Sequence, residues 1–278
     1  MELEQRIKKF IGKVFEYYRW RTCKELHIDI QLADHCNLNC VGCSHFSSIA
    51  EECFLKVDDY RMNCSQFAKL AKKYVKRIHL MGGEPLLHNK IAEIIEITRS
   101  NFNKSEITIV TNGILLDKMN KEIWYACKQN NVKISLTLYP ININIKKICE
   151  LALQYDVAIG YFNDGGYKMK FRKDVLDEKG VQNIKNSYRK CKPMCPQLYG
   201  DKFYMCQKPA NIKYINKYFS KEFIVSSDDY IDIYKINDVK KLIKYLRKPI
   251  PFCRYCNRDA TDKDVTWCIS KRVFSEWF

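Results

Sequence analysis

Three cysteines in one short loop constrain this sequence more than any other feature. Cys36, Cys40 and Cys43 follow an alternating segment, Ile28 to Leu32, that predicts a β-strand. Three thiolates on one loop can hold three corners of an iron-sulfur cubane, and this loop has no fourth cysteine. An iron without a protein thiolate is open to a small molecule, as the free position is in catalytic metal sites.

A structural zinc site is the alternative for these thiols. Structural zinc normally takes four ligands, often as paired Cys-x-x-Cys units, whereas this loop supplies three with unequal gaps. The sequence has 14 cysteines in 278 residues. In a reducing compartment so many cysteines are more consistent with metal ligands or catalytic groups than with disulfides.

Hydropathy and charge limit the class of protein. No segment has the roughly 20 consecutive apolar residues that span a bilayer, so we expect a cytoplasmic protein without a membrane partner. The formal net charge of +16 would suit a phosphate-bearing ligand. However, the lysines are scattered, and their densest cluster, Lys235 to Lys248, indicates the polar face of a helix. A nucleic-acid partner is therefore not favoured.

Strand and helix patterns alternate along the first two thirds of the chain, which predicts an α/β fold with a parallel sheet. Residues 1–26 form a predicted amphipathic helix, 27–190 a core domain, and 191–278 a small Cys-rich α+β subdomain with a hairpin near Gly200. In parallel sheets, ligands bind at the loops that follow the strands. The further predicted strands are 77–81, 107–111, 133–139 and 157–162, and the predicted helices are 91–98 and 118–129.

The spacing of Cys36, Cys40 and Cys43 resembles the signature of the radical S-adenosylmethionine (radical SAM) superfamily. The resemblance implies a partial (β/α)6 TIM-like barrel and a 4Fe-4S cluster whose open iron binds SAM. It also implies reductive cleavage of SAM to a 5'-deoxyadenosyl radical that abstracts a substrate hydrogen, with a reductant such as flavodoxin or ferredoxin.

Other segments extend the resemblance. Gly82, Gly83 and Glu84 match the family's GGE motif, which implies contact with the SAM amino group, and glycine permits close backbone approach there. The remaining predicted cofactor contacts are Asn112 after the third strand, Ser135 and Thr137 on the fourth, and Phe46 or His45 in place of the aromatic residue that Gly42 replaces.

A second set of cysteines resembles the twitch subdomain, the short relative of the SPASM extension, which implies an auxiliary 4Fe-4S cluster. Its predicted ligands are Cys206, Cys253 and Cys256, with either Cys191 or Cys195 as the fourth. A zinc site built from the same thiols is the alternative. Cys268 is either a buried apolar residue or a hydrogen-atom donor to a substrate radical.

The layout resembles the small twitch-bearing enzymes of carbohydrate and aminocyclitol metabolism. This implies an oxidoreductase or epimerase acting on a sugar, nucleotide-sugar or aminocyclitol. A phosphate or nucleotide group on such a substrate would suit the positive charge of the protein. Oxidation, epimerisation and deoxygenation all remain open. A peptide-modifying maturase is the second candidate, and a non-enzymatic cluster-carrying partner is the third.

Overall fold

The computed structural model describes residues 25–162, 165–173, 175–191, 196–260 and 264–278. The predicted N-terminal helix lies outside the described residues, apart from Glu25 and Leu26 at its predicted end. The prediction of Cys195 as a ligand also falls outside them.

Five parallel strands form the first part of the sheet. They alternate between fully buried apolar side chains, such as Ile30, Leu80 and Ile134, and half-buried side chains on the other face, such as Asp29 and His79. Because successive strand residues point to opposite faces, one face of the sheet is apolar and the other is partly polar. The strands are β1 Leu26–Ala33, β2 Val75–Gly82, β3 Glu106–Thr111, β4 Val132–Leu136 and β5 Ile159–Tyr161.

A helix follows each of the first four strands, because parallel neighbours need a crossover connection. The helices contribute buried apolar residues such as Phe67, Ile94, Trp124 and Ile148, which complete the core with the apolar face of the sheet. These helices are α1 Val57–Ala71, α2 Ile91–Asn101, α3 Lys121–Gln129 and α4 Ile145–Tyr155.

The Cys-rich part of the chain extends the same sheet on the other side of β1. There β7 pairs parallel with β1, and β8 and β9 add antiparallel strands, so that the order is β5-β4-β3-β2-β1-β7-β8-β9. Gly200, at φ +61°, turns the predicted hairpin between β7 and β8. This region contains β7 Gln197–Tyr199, β8 Lys202–Tyr204, β9 Tyr230–Asp232, α5 Ile184–Lys190, α6 Gln207–Phe219 and α7 Val239–Leu246.

A second, two-stranded sheet pairs β6, Lys170–Arg172, with β10, Asp264–Thr266, in antiparallel fashion. The predicted α/β class is confirmed: the eight-stranded sheet is dominated by parallel pairs and matches a partial TIM-like barrel. No helix among the described residues is long and apolar enough to cross a membrane.

A buried polar network joins β1 to the Cys-rich region. The Asp34 carboxylate, 2% exposed, accepts hydrogen bonds from the hydroxyls of Tyr199, at 2.6 Å, and Tyr214. Gln31 donates to the same carboxylate and exchanges hydrogen bonds with Asn211 of α6. Buried polar groups need such partners, so the network holds α6 and the hairpin against the strand that precedes the cysteine loop.

Candidate active site and cysteine clusters

The first cysteine loop begins where β1 ends, at the carboxyl edge of the parallel strands. Asn39, Gly42 and Phe46 have positive φ angles of 52°, 59° and 58°, which allow the chain to turn sharply around the three thiols. Cys40 is buried, whereas Cys36 and Cys43 are partly exposed. All three predicted ligands therefore lie in one compact loop.

The three thiols differ in how readily they ionise. Burial raises the pKa of Cys36 and of Cys40 to about 12. For Cys43, burial acts in the same direction, but hydrogen bonds and charge from His45 outweigh it and lower the pKa to about 7. A metal ligand must lose its proton, so cluster assembly here releases protons and Cys43 is the first of the three to ionise.

The glycine loop after β2 packs directly on the residues that lead into Cys36. The Gly83 amide donates to the carbonyl of Ala33 at 2.7 Å, and the Glu84 amide donates to that of His35 at 3.1 Å. A Cβ added at Gly83 would lie 1.9 Å from the His35 carbonyl oxygen. Only glycine permits this approach of two backbones.

Glu84 connects this loop to β3. Its side chain, 1% exposed, accepts hydrogen bonds from the Thr111 hydroxyl at 2.6 Å, the Asn112 amide at 3.0 Å and the Leu86 amide at 3.1 Å. Burial raises the pKa of this carboxyl to about 7, against the effect of those hydrogen bonds. Both carboxylate oxygens thus accept hydrogen bonds from the chain itself, and Glu84 holds the glycine loop against the end of β3.

The other predicted cofactor contacts lie around the same edge. The Asn112 amide nitrogen donates to the side-chain oxygen of Asn37 at 2.8 Å and lies 3.7 Å from the Cys36 sulfur. Thr137 is buried, and its backbone amide donates to the Thr111 carbonyl. Ser135 is half-buried on the partly polar face of the sheet. Their roles toward a cofactor stay predictions.

Phe46 has a core position. Its side chain is 1% exposed, and its ring centroid lies 6.4 Å from that of Trp277 in an edge-to-face arrangement. His45, the alternative for stacking on adenine, is partly exposed and lies beside the Cys43 thiol. The geometry therefore favours His45 over Phe46 for contact with a ligand.

An aromatic and cationic group around Cys40 was not predicted from the sequence. The Trp267 indole nitrogen donates to the Cys40 sulfur at 3.2 Å, and the Tyr139 ring centroid lies 6.0 Å from that of Trp267. The Lys168 ammonium lies 5.9 Å from the Tyr139 centroid, and burial lowers its pKa. Trp267 and Lys168 are remote from the loop in sequence, so no local spacing could have indicated them.

The segment 267–277 covers the first cysteine loop. The Val41 amide donates to the Cys268 carbonyl at 2.9 Å, and the Ser270 amide donates to that of Asn39 at 2.7 Å. The Trp277 indole donates to the Cys43 carbonyl at 3.1 Å. The Cys268 side chain is exposed, which rules out the buried apolar position, and its predicted role as hydrogen donor stays a prediction.

Four cysteines of the second set lie together. Burial raises the pKa of Cys206, and the charges of Cys256, Cys191 and Cys253 raise it further. Cys206, Cys253 and Cys256 are each less than a tenth exposed, and Cys191 is partly exposed at the end of α5. The described chain thus brings four thiols of the second set near one another, and the choice between Cys191 and Cys195 as the fourth ligand stays a prediction.

The spacing of these side chains bears on which metal group they fit. Among the described residues, no three His, Cys, Asp or Glu side chains come close enough to hold a single metal ion. Four thiolates around a cubane lie further apart than four around one zinc ion, because the cluster itself occupies the space between them.

The comparison with known proteins relates the first cysteine loop to a family. Residues 30–153, less than half of the chain, match the model of the radical SAM superfamily. This segment contains the cysteine loop, the Gly82-Gly83-Glu84 loop and the third and fourth strands. The match agrees with the predicted 4Fe-4S cluster and SAM.

Matching relatives include two GTP 3',8-cyclases. The protein from Clostridium acetobutylicum is 32% identical over 114 residues, which are 39% of this chain and 34% of the relative. The protein from Staphylococcus epidermidis is 25% identical over 175 residues, which are 59% of this chain and 48% of the relative. The chain thus spans less than half the length of these relatives.

A solved structure extends the similarity of fold beyond the matched domain. The crystal structure of BtrN in complex with AdoMet and 2-DOIA aligns with a TM-score of 0.51 and 15% sequence identity. The alignment covers 86% of this chain and 95% of that chain. At this identity the similarity establishes the fold alone.

Proposed function

We propose that this protein is a radical SAM enzyme acting on a carbohydrate-like substrate: a sugar, nucleotide-sugar or aminocyclitol that it oxidises or epimerises. The observation that carries the radical SAM assignment is the three-thiol loop braced by Gly83 and Glu84 within residues 30–153. When bound there, the cluster and SAM supply a carbon radical that removes a substrate hydrogen. Cys36, Cys40 and Cys43 would hold this cluster.

The chain itself limits the access of water to the site and positions the cysteine loop. Trp267, Tyr139 and Lys168 surround the Cys40 thiol, and the segment 267–277 lies over the loop, which limits the access of water to the reacting groups. Gly83 and Glu84 fix the distance between the cysteine loop and the ends of β2 and β3. Such positioning is what a protein contributes to a cofactor reaction.

The proposed substrate class has three supports. The face of the sheet opposite the helices carries polar groups, including Asp29 and His79, whose carboxylate oxygen and Nδ1 lie 3.1 Å apart. Such groups suit the hydroxyls of a carbohydrate. The net charge of +16 suits a phosphate or nucleotide handle, and the matched relatives are named for a reaction of GTP.

Cys191, Cys206, Cys253 and Cys256 would hold an auxiliary 4Fe-4S cluster. The support is their burial and mutual electrostatic influence, together with the fold similarity that covers this region. When a substrate radical is oxidised, such a cluster would accept the electron that the radical gives up. An epimerisation would instead need a hydrogen donor, for which Cys268 is the candidate. A peptide maturase remains the second proposal.

The test is SAM cleavage in the presence of candidate substrates. Protein reconstituted anaerobically is incubated with SAM and a low-potential reductant, and 5'-deoxyadenosine is quantified with pools of nucleotide-sugars, aminocyclitols, GTP and peptides. We expect stimulation by a carbohydrate or nucleotide-sugar pool. Stimulation by peptides alone would refute the substrate class in favour of a maturase.

Matched variants separate the radical assignment from the substrate. The triple variant C36A/C40A/C43A should form no 5'-deoxyadenosine, whereas Cys149→Ala, a partly exposed thiol of α4 remote from both sets, should behave like the wild type. Iron-loaded wild type that cleaves no SAM with any pool would favour a non-enzymatic partner.

A further inference from the structure

Two buried cationic side chains adjoin the second set of cysteines. Lys208 is 1% exposed and Arg258 is 7% exposed. Lys208 lies in the first turn of α6, two residues after Cys206, and Arg258 lies two residues after Cys256. Lysine and arginine are almost never fully buried unless negative charge accompanies them. Both side chains therefore place positive charge in the interior beside these cysteines.

Arg258 contacts a thiol directly. Its Nη2 donates to the Cys191 sulfur at 2.7 Å, and its charge also acts on Cys253. A guanidinium has a planar set of donors and is weakly hydrated, which makes it the cation best suited to a buried charge pair. Arg258 is thus oriented by a proposed cluster ligand.

Lys208 lies beside another cysteine of the same set, Cys206. Its ammonium is close enough to Cys206 for its charge to act on that residue. Cys206 is also the N-cap residue of α6, a 13-residue helix, so the positive end of the helix dipole faces the same cysteine. Three sources of positive potential therefore converge on four thiols.

The charge balance indicates what these groups do. Four thiolates around an oxidised cubane leave two net negative charges, which two cations would neutralise, and reduction by one electron adds a third negative charge. A fixed cation stabilises the reduced state more than the oxidised state, because its attraction grows with the charge of the cluster. In a buried site this effect is weakly screened.

We propose that Lys208 and Arg258 raise the reduction potential of the cluster at Cys191, Cys206, Cys253 and Cys256, and so increase its affinity for an electron. The inference rests on the auxiliary cluster of the proposed function. It deepens that function because an electron-accepting site favours oxidation of the substrate over redox-neutral epimerisation. Both residues are positioning residues, since they act through the cluster ligands.

The experiment measures the potential of this cluster alone. In the full-length C36A/C40A/C43A background only the second site can hold a cluster, and its reduction is followed anaerobically by electron paramagnetic resonance at set potentials. We expect Lys208→Met and Arg258→Gln each to lower the equilibrium constant for one-electron reduction about tenfold, which is ~59 mV for a one-electron couple. The double variant should show a larger decrease than either single variant.

Charge-conserving and remote variants provide the controls. Arg258→Lys keeps a positive charge near Cys191 and should stay closer to the parent than Arg258→Gln, so this pair tests the proposal even where Lys208→Met fails to fold. Lys240→Met removes an exposed lysine of α7 and should leave the potential unchanged. Equal potentials in iron-loaded Arg258→Gln, Arg258→Lys and parent would overturn the proposal.

Iron analysis distinguishes this failure from failure of the proposed function. Absence of iron from the C36A/C40A/C43A parent would remove the auxiliary cluster itself, and the proposal with it. A parent that holds a cluster whose potential is insensitive to both charges would leave the auxiliary site standing and refute only the role of Lys208 and Arg258.

Discussion

Glu84 is a carboxyl group held away from water between the ends of β2 and β3. Its pKa of about 7 lies above the ordinary value of 4.5 for an exposed Glu side chain. The folded protein therefore retains this proton at pH values where the unfolded chain has lost it. Its contribution to stability is complete below pH 4.5 and declines as the pH rises to about 7.

Glu84→Gln should remove this dependence because an amide stays neutral at every pH. Relative to wild type, we expect the variant's free energy of unfolding to rise by about 3 kcal/mol between pH 4.5 and pH 7. Thermal unfolding of both cluster-free proteins across this range measures the difference. A difference that does not change with pH would contradict the assigned pKa.

Gly83 has no Cβ, which allows the glycine loop and the cysteine loop to lie in direct contact. An added Cβ would meet the His35 carbonyl at 1.9 Å, so Gly83→Ala must push the glycine loop away from the cysteine loop. We expect a loss of about 3 kcal/mol in stability, together with loss of iron from the first site. Gly160→Ala in β5 is the control, since nothing lies within 4 Å of its added Cβ. Equal iron content in Gly83→Ala and Gly160→Ala would argue against a role of Gly83 in holding the two loops together.

Whether a residue of the site could be predicted depends on how far it lies in sequence from the residues that it contacts. The proximity of Cys36, Cys40 and Cys43 could be predicted because the three lie in one short loop, and the glycine loop because its motif is contiguous. Trp267 and Arg258 reach cysteine thiols only through tertiary packing, so their roles could not be read from the sequence. Burial, which makes Lys208 informative, is equally invisible in a linear pattern.

At the scale of elements, the strands were the most predictable parts. The alternation of Ile28, Ile30 and Leu32 predicts β1 because these side chains face the helices and their neighbours face the other side. Helix α1 and strand β9 were among the elements missed: the buried residues of α1 recur at helical spacing but include Asn63 and Cys64, which weaken the apolar pattern, and β9 has only three residues. Short strands depend on their neighbours more than on their own composition.

The segment 267–277 depends on one aromatic anchor. Trp277 is 2% exposed, donates to the Cys43 carbonyl and packs on Phe219 with ring centroids 5.8 Å apart. We expect Trp277→Ala to cost about 3–5 kcal/mol in stability, and Trp277→Phe, which keeps most of the packing, about 1 kcal/mol. Denaturant unfolding measures both, and iron content reports on the cysteine loop.

A neighbouring exposed residue gives the matched control for Trp277. Ile269 belongs to the same segment but is 64% exposed, so Ile269→Ala should change stability by less than about 0.5 kcal/mol. If Trp277→Ala and Ile269→Ala behaved alike, with iron retained in both, the anchoring role of Trp277 would be wrong.

At the scale of the whole molecule, the sheet order could not be predicted. The hairpin near Gly200 was expected, but β7 pairs with β1 through Asp29 and Gln197, which are far apart in sequence. Such a long-range parallel pairing leaves no local pattern. It nevertheless places the hairpin that precedes Cys206 in the same sheet as the strand that precedes the first cysteine loop.

The net charge of +16 gives a whole-molecule prediction about electron delivery. Opposite charges steer association, and salt screens them beyond a Debye length of about 8 Å at physiological ionic strength. Cluster reduction by an acidic flavodoxin should therefore slow as the salt concentration rises. Stopped-flow absorbance measures the rate, and reduction by a neutral photoreduced flavin, which needs no steering, is the control. Equal salt dependence for both donors would refute steering by the protein's charge.

The segment 267–277, which lies over the first cysteine loop, also bears on the order of events during synthesis of the chain. The three thiols at 36–43 are synthesised long before residues 267–277, which hydrogen-bond to that loop. During most of translation the loop therefore exists without its cover. The growing chain therefore exposes these thiols to iron-sulfur delivery before residues 267–277 are synthesised and cover the loop.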